Sequence, residues 1–195
     1  MKIQITQLIS IACVAVIAAG CASAPSKLYT LNATAKSDGA AAASYSVVVG
    51  PVSVPAEVDR PQFTIQVAPN QVAVDEFNRW AAPLNENIAR VVAEDLSALL
   101  GTPRVSTLPQ AHFSPDFSVI IEVQQFESIP GKSAEISAVW TVRKTSGGSA
   151  QSGFTCAKEP VSGDGFDALA AAHSRALATV SSAIAATIRT EADQH

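Results

Sequence analysis

Charge is scarce in this chain. Only 15% of its 195 residues are Asp, Glu, Lys or Arg, and the formal balance is −4 with no run of basic side chains. Nucleic-acid binders neutralise phosphates with clustered Lys and Arg, so that class of partner is excluded. The same lack removes docking on anionic headgroups through a polybasic patch.

Cysteine is rarer still. Of the three, Cys13 lies in the leading apolar stretch, Cys21 closes it, and Cys156 stands alone, so no intramolecular disulfide staples the fold. Cys156 is expected to be a small buried side chain in a strand, with an intermolecular bridge or a reactive thiol as the sharper alternative. Histidine is equally sparse: His112 sits in a loop among prolines, His195 is the last residue, and His173 lies on an apolar helical stripe, where a satisfied core or interface imidazole is expected. No G-x-S-x-G elbow, H-E-x-x-H, C-x-x-C or P-loop occurs, so the common hydrolase, metal and nucleotide signatures are missing. Cys156 with His173 is the one nucleophile and base pairing on offer, and it is thin ground for catalysis. The expectation is a protein that is not an enzyme, with no metal and no cofactor.

Long apolar runs are absent beyond the N terminus; nothing there approaches the roughly 20 residues that span a bilayer. What the N terminus holds is Lys2, then about 12 largely apolar residues from Leu8 to Ala19, then Ala18-Ala19-Gly20-Cys21. Small residues before a cysteine suit a lipoprotein signal peptidase, which needs a slim extended backbone and a thiol already carrying diacylglycerol. Cleavage between Gly20 and Cys21 would make the lipidated Cys21 the first mature residue; an ordinary cleaved secretory peptide is the competing reading. Acyl chains such as palmitate contribute about 0.8 kcal/mol per buried methylene, so the three of a bacterial lipoprotein anchor it stably. Ala22 follows in place of an aspartate, which points to the outer membrane, facing the periplasm.

The organisation expected is a signal peptide over 1–20, a flexible tether over 21–43, one domain over 44–190 and a short tail over 191–195. The tether rests on its Ala, Ser, Thr and Gly content, interrupted by Leu28-Tyr29-Thr30-Leu31, a short apolar cluster suited to a sheet edge or a partner. Tyr45 to Val54 reads as a strand bent at Gly50-Pro51, and Phe63, Ile65 and Val67 turn through Pro69-Asn70 into Val72 and Val74 as a hairpin. Pro83 to Leu100 is an amphipathic helix with Leu84, Ile88, Val91, Val92, Leu96 and Leu99 on one stripe and Glu86, Arg90 and Glu94 on its outer face. Val105 starts a short strand. Phe117 to Gln124, Ile136 to Val142 and Gln151 to Cys156 then make a three-stranded antiparallel meander. A second helix runs from Phe166 to Arg189, with Ala, Ser and Thr on its other faces that allow close packing on the sheet or on a second copy of the chain. The fold class is therefore α/β (α+β): a single domain with a mixed, largely antiparallel sheet and two main helices packed on it.

Val49-Gly50-Pro51-Val52-Ser53-Val54-Pro55 through Asp59-Arg60-Pro61-Gln62-Phe63, then Phe77-Asn78-Arg79-Trp80-Ala81-Ala82-Pro83-Leu84, with Ala172-His173-Ser174-Arg175-Ala176-Leu177 in the second helix, resembles the paraquat-inducible protein C family. These are auxiliary lipoproteins of ABC-type transport systems. The resemblance covers about residues 28 to 190. It implies a non-catalytic role at the outer membrane, docked to a mammalian-cell-entry-domain protein that bridges the envelope, with phospholipid or another hydrophobic molecule as cargo and ATP hydrolysis left to other subunits. Arg60, Pro61, Phe77, Asn78, Arg79 and Trp80 are the candidate partner surface, because aromatics and arginine near turns bury much area and fork into several hydrogen bonds. In the competing arrangement Phe77 and Trp80 cap the sheet while Arg60 and Arg79 pair with Asp59, Asp75 or Glu76. A lipid-binding carrier and a structural envelope lipoprotein are the alternative functions.

Overall fold

The computed structural model describes residues 25–107, 114–148 and 150–193. Cys21 with its cleavage site, His112 and His195 lie outside the described residues. The strands are β1 (Lys27–Tyr29), β2 (Val47–Ser53), β3 (Gln62–Ala68), β4 (Gln71–Trp80), β5 (Val105–Ser106), β6 (Phe117–Ile129), β7 (Ser133–Lys144) and β8 (Gln151–Pro160). The helices are α1 (Leu84–Leu100) and α2 (Gly165–Asp193). No described helix is long and apolar enough to cross a membrane.

The larger sheet has the order β5-β2-β6-β7-β8. Its meander β6-β7-β8 is antiparallel, whereas β2 lies parallel to both β6 and β5. Because side chains alternate across a strand, Val119, Ile121 and Val123 of β6 and Ile136, Ala138, Trp140 and Val142 of β7 line one face, and all are buried. Both helices cover that face, α1 over β2 and α2 over β7 and β8. The stripe expected on α1 is buried throughout, and Gly101 closes the helix in the left-handed conformation at φ 64° with its N–H on the Ser97 carbonyl. Helix α2 buries Leu169, His173, Leu177, Val180, Ile184 and Ile188 together with Ala168, Ala170, Ala172, Ala176 and Ala185, so its small residues serve close packing within the chain. Gly153 on β8 has a similar purpose, since a Cβ there would fall inside the Trp140 ring.

One mixed sheet was expected from the strand pattern; the protein has two. The second is three-stranded, with the order β1-β4-β3. Strand β4 does not stop at Val74 but breaks register between Asp75 and Arg79 and continues to Trp80, where it pairs in parallel with β1. The extension exists because the Trp80 ring has a core to enter. It stacks on Phe63 at 4.0 Å between centroids, and Phe63 in turn meets Tyr29 at 5.6 Å and Phe166 at 5.1 Å. Trp80 also meets Phe126 of β6 at 6.1 Å. Edge-to-face and offset contacts of this kind add about 0.5–1.5 kcal/mol each beyond burial. The two sheets and the start of α2 are therefore joined through rings and not through a shared ladder.

The segment expected to be a flexible tether is, from Lys27 to Ala43, a strap laid along the seam between α1 and α2. Leu31 is fully buried. The Asn32 N–H donates to Ser174 Oγ at 3.1 Å, and the N–H groups of Thr34 and Ala35 donate to one oxygen of Asp95 at 3.0 and 2.9 Å. Arg90 donates to the Leu31 carbonyl, Arg189 pairs with Asp38 at 2.7 Å, and the Ala43 N–H donates to the Leu100 carbonyl. Short polar and Ala-rich composition is also that of solvated linkers; here it is chain thin enough to lie between two helices, with backbone groups bonded to them.

Asp95 is fully buried and its second oxygen accepts from Ser181 Oγ of α2 at 3.0 Å. Burial raises its carboxyl above the ordinary range against the pull of the Ala35, Ser181 and Thr34 hydrogen bonds. For an acid whose folded value lies above its unfolded one, stability is fully present below the unfolded value near 3.8 and declines as pH rises through the folded value. Asp95→Ala should cost about 2–3 kcal/mol at neutral pH by stranding two backbone donors and a hydroxyl, while Asp95→Asn, which can keep all three partners, should cost less than about 1 kcal/mol. Denaturant melts from pH 4 to 7 check this, and the Asn variant should show the smaller decline as pH rises.

Candidate docking face

The face of the larger sheet turned away from the helices carries what the folded core leaves uncovered. Register places Phe154 opposite Val139, Cys156 opposite Ser137 and Lys158 opposite Glu135, while the alternate residues Gly153, Thr155 and Ala157 point to the helices. On β6, Ile120 and Glu122 share this open face, paired with Thr141 and Val139. Phe154 is 60% exposed and Ile120 42%, large values for apolar side chains in paired strands. The β3–β4 hairpin stands beside this face and closes a groove of about 450 Å³ lined by Val58, Ile65, Val72, Gln124, Phe126 and Phe154. A shallower depression of about 800 Å³ continues past Val67, Pro69, Pro130 and Lys132. Lys158 bonds Glu135 there at 2.5 Å, and this hydrogen bond, with Ser133 adding to it, holds the Glu135 carboxyl below the ordinary range.

The six residues singled out in the sequence do not form one surface. Trp80 is core, 5% exposed and stacked on Phe63, and is unavailable to a partner. Asn78 faces inward, accepting from the Tyr29 hydroxyl at 2.8 Å. Arg79 bonds the Glu76 carbonyl at 3.0 Å and lies 3.7 Å from its carboxylate, which is the pairing the competing arrangement expects. Phe77 caps nothing and is exposed. Arg60 and Pro61 are exposed on the turn before β3, where the Pro61 carbonyl accepts from the Trp80 N–H at 2.7 Å. That turn borders the groove through Glu57 and Val58. Phe154, Val72 and Ile120 were not singled out in advance; the available signal was an apolar residue on each side of a strand whose other face was already committed to the core.

Cys156 is exposed, which corrects the expectation of burial. The physical reason is register: Thr155 and Ala157 occupy the helix-facing positions, so the residue between them faces solvent. A maleimide should therefore label Cys156 in the native protein within a few-fold of its rate in denaturant; protection by more than about a hundredfold, read by intact mass, would contradict the register.

His173 is the one buried histidine among the described residues. Its ring stacks on Phe126 at 3.8 Å and 6°, its Nε2 lies 2.8 Å from Ser128 Oγ, and its Nδ1 has no hydrogen-bond partner. Ser128 also lines the groove, so serine and imidazole are disposed as nucleophile and base. Two features argue against that use: no acid orients Nδ1, and burial lowers the imidazole to about 3, too weak a base at neutral pH. With the folded value depressed below the ordinary 6.5, the unfolded chain takes up a proton first, so this group removes about 1.4 kcal/mol of stability per unit as pH falls below about 6.5. Imidazole resonances of His173 should show no titration between pH 5 and 8 by NMR.

A two-layer α+β module with one face of its larger sheet sealed by helices and the other uncovered is the class this architecture defines. Residues 29–185 match the model of the ABC-type transport auxiliary lipoprotein component, and the chain belongs to that family. It is thus an auxiliary lipoprotein of a transport system in the cell envelope. A crystal structure of a Xanthomonas campestris protein is similar over 86% of this chain and 100% of its own, at 19% identity and TM-score 0.70. A second solved structure, of an uncharacterized protein, is similar over 85% and 99% of the two chains, at 20% identity and TM-score 0.70. At those identities the likeness is one of fold. No curated protein matches the chain.

Proposed function

We propose that this protein is the non-catalytic outer-membrane subunit of an envelope-spanning transport system. It is held to the periplasmic leaflet through acylated Cys21 and acts by docking a mammalian-cell-entry-domain protein that bridges the membranes. The cargo of that system is phospholipid or another hydrophobic molecule passing between inner and outer membranes. The observation that carries the docking role is the asymmetry of the larger sheet. One face is closed over a filled core, and the other bears exposed Phe154 and Ile120 beside an apolar groove. Exposed apolar surface of this kind marks interaction sites in soluble domains. Arg60 and Pro61, exposed on the turn whose Glu57 and Val58 line the groove, belong to the docking surface; Trp80 and Asn78 do not.

The interior supports a dock over a carrier. Phe63, Phe117, Leu31, Leu84, Ile88 and Leu96 fill the space between sheet and helices with almost no exposure, so the described core is occupied by side chains where an acyl chain would need room. Photo-crosslinkers at Phe154 and Arg60 in intact cells should capture one envelope-spanning partner, and Phe154→Asp should cut the yield about tenfold while leaving the melting temperature unchanged. Unchanged capture by Phe154→Asp sinks the assigned face. A phospholipid retained by the purified domain in native mass spectrometry would favour the carrier. Cys21→Ser should release the protein from the membrane fraction.

A further inference from the structure

The strap brings the folded domain close to the anchor. Strand β1 begins at Lys27, so only residues 22–26 separate paired backbone from Cys21. Six residue steps of at most about 3.5 Å reach about 21 Å, whereas α2 alone, with 29 residues, is about 43 Å long at 1.5 Å per residue. A domain held this closely cannot present an arbitrary side to the bilayer; the end where β1 starts must face it.

That end carries an apolar surface. Leu28 is 65% exposed and pairs with Arg79, while Tyr29 and Trp80, on the opposite face of the same two strands, enter the core. Phe77 precedes Arg79 by two residues on the same strand and is 47% exposed. Its position is fixed: Asp75 Oδ1 accepts from the backbone N–H of Phe77 at 2.9 Å and from the N–H and Nδ2 of Asn78 at 2.8 and 2.9 Å. Burial alone would raise the Asp75 carboxyl, but these bonds outweigh it and hold it below the ordinary range, keeping the bulge tied at neutral pH. Lys27 pairs in register with Asn78, so the chain leaves for the membrane beside this bulge.

Resting on the Cys21 anchor of the proposed function, we infer that Leu28 and Phe77 form a membrane-contact edge whose occupant is the interfacial region of the lipid bilayer, and that this contact fixes the orientation of the domain. Apolar side chains at headgroup depth, with a cationic side chain such as Arg79 beside them, are the arrangement interfacial binding uses. The edge lies on the small sheet, leaving the Phe154 groove of the larger sheet for a protein partner.

The test uses the mature lipoprotein in phosphatidylethanolamine and phosphatidylglycerol vesicles. A Phe77→Cys, Cys156→Ser form carries an environment-sensitive fluorophore at position 77, and the protein with its native Cys156 carries it on the open sheet face. Nitroxide lipids labelled at a shallow acyl position should quench the label at 77 at least about threefold more than the label at Cys156. Adding Leu28→Ser, an exposed change that leaves folding intact, should reduce that difference. Flotation with the vesicles but equal quenching at both positions overturns the membrane-contact edge and leaves the anchor standing. Failure to float removes the anchor, and the edge falls with it.

Discussion

A single buried carboxylate holds this architecture together. Asp95 sits on α1, accepts two backbone N–H groups from the strap and one hydroxyl from α2, and so ties three pieces of chain whose residues lie up to about 150 positions apart. An unpaired carboxylate in that position would be strongly disfavoured, because burial of an ion without partners costs several kcal/mol. With its partners it specifies where the strap lies, since the successive N–H groups of Thr34 and Ala35 converge on one of its oxygens. Arg90, bonded to the Leu31 carbonyl, and Arg189, paired with Asp38, reinforce the same path.

Much of the fold was legible because most elements announce themselves by period. Helix α1, the β3–β4 hairpin and the meander follow from alternation and from 3.6-residue stripes. The strap was not legible, since Ala, Ser and Thr with little apolar content is also the composition of solvated linkers. The clue was on the other partner: Asp95 falls with Ile88, Val91, Val92 and Leu99 on the inward stripe of α1, and a carboxylate there calls for buried donors. The second sheet was hidden for a different reason. The β4 bulge at Asp75 to Asn78 breaks the alternation that would have extended the strand to Trp80, which leaves Phe77 exposed while Trp80 enters the core.

The candidate site divides along the same line. Sequence alone favours aromatics and arginines near turns, and that criterion drew in Trp80, which the core claims, along with Arg60 and Pro61, which are exposed. Phe154 escaped because its strand is weakly apolar and its neighbour Gly153 exists only to admit the Trp140 ring. His173 illustrates the converse: its place on an apolar stripe correctly indicated burial and a hydrogen bond, and the aromatic stack on Phe126 explains how an imidazole with one unpartnered nitrogen is accommodated.

The strap also sets an order of events during biogenesis. Where the chain is exported N terminus first, as the proposed function requires, residues 27 to 43 reach the far side well before α2 has emerged, yet Ser174 and Arg189 of that last helix are what the early segment binds. On that route the strap is locked down only once Arg189, near the end of α2, has emerged to meet Asp38.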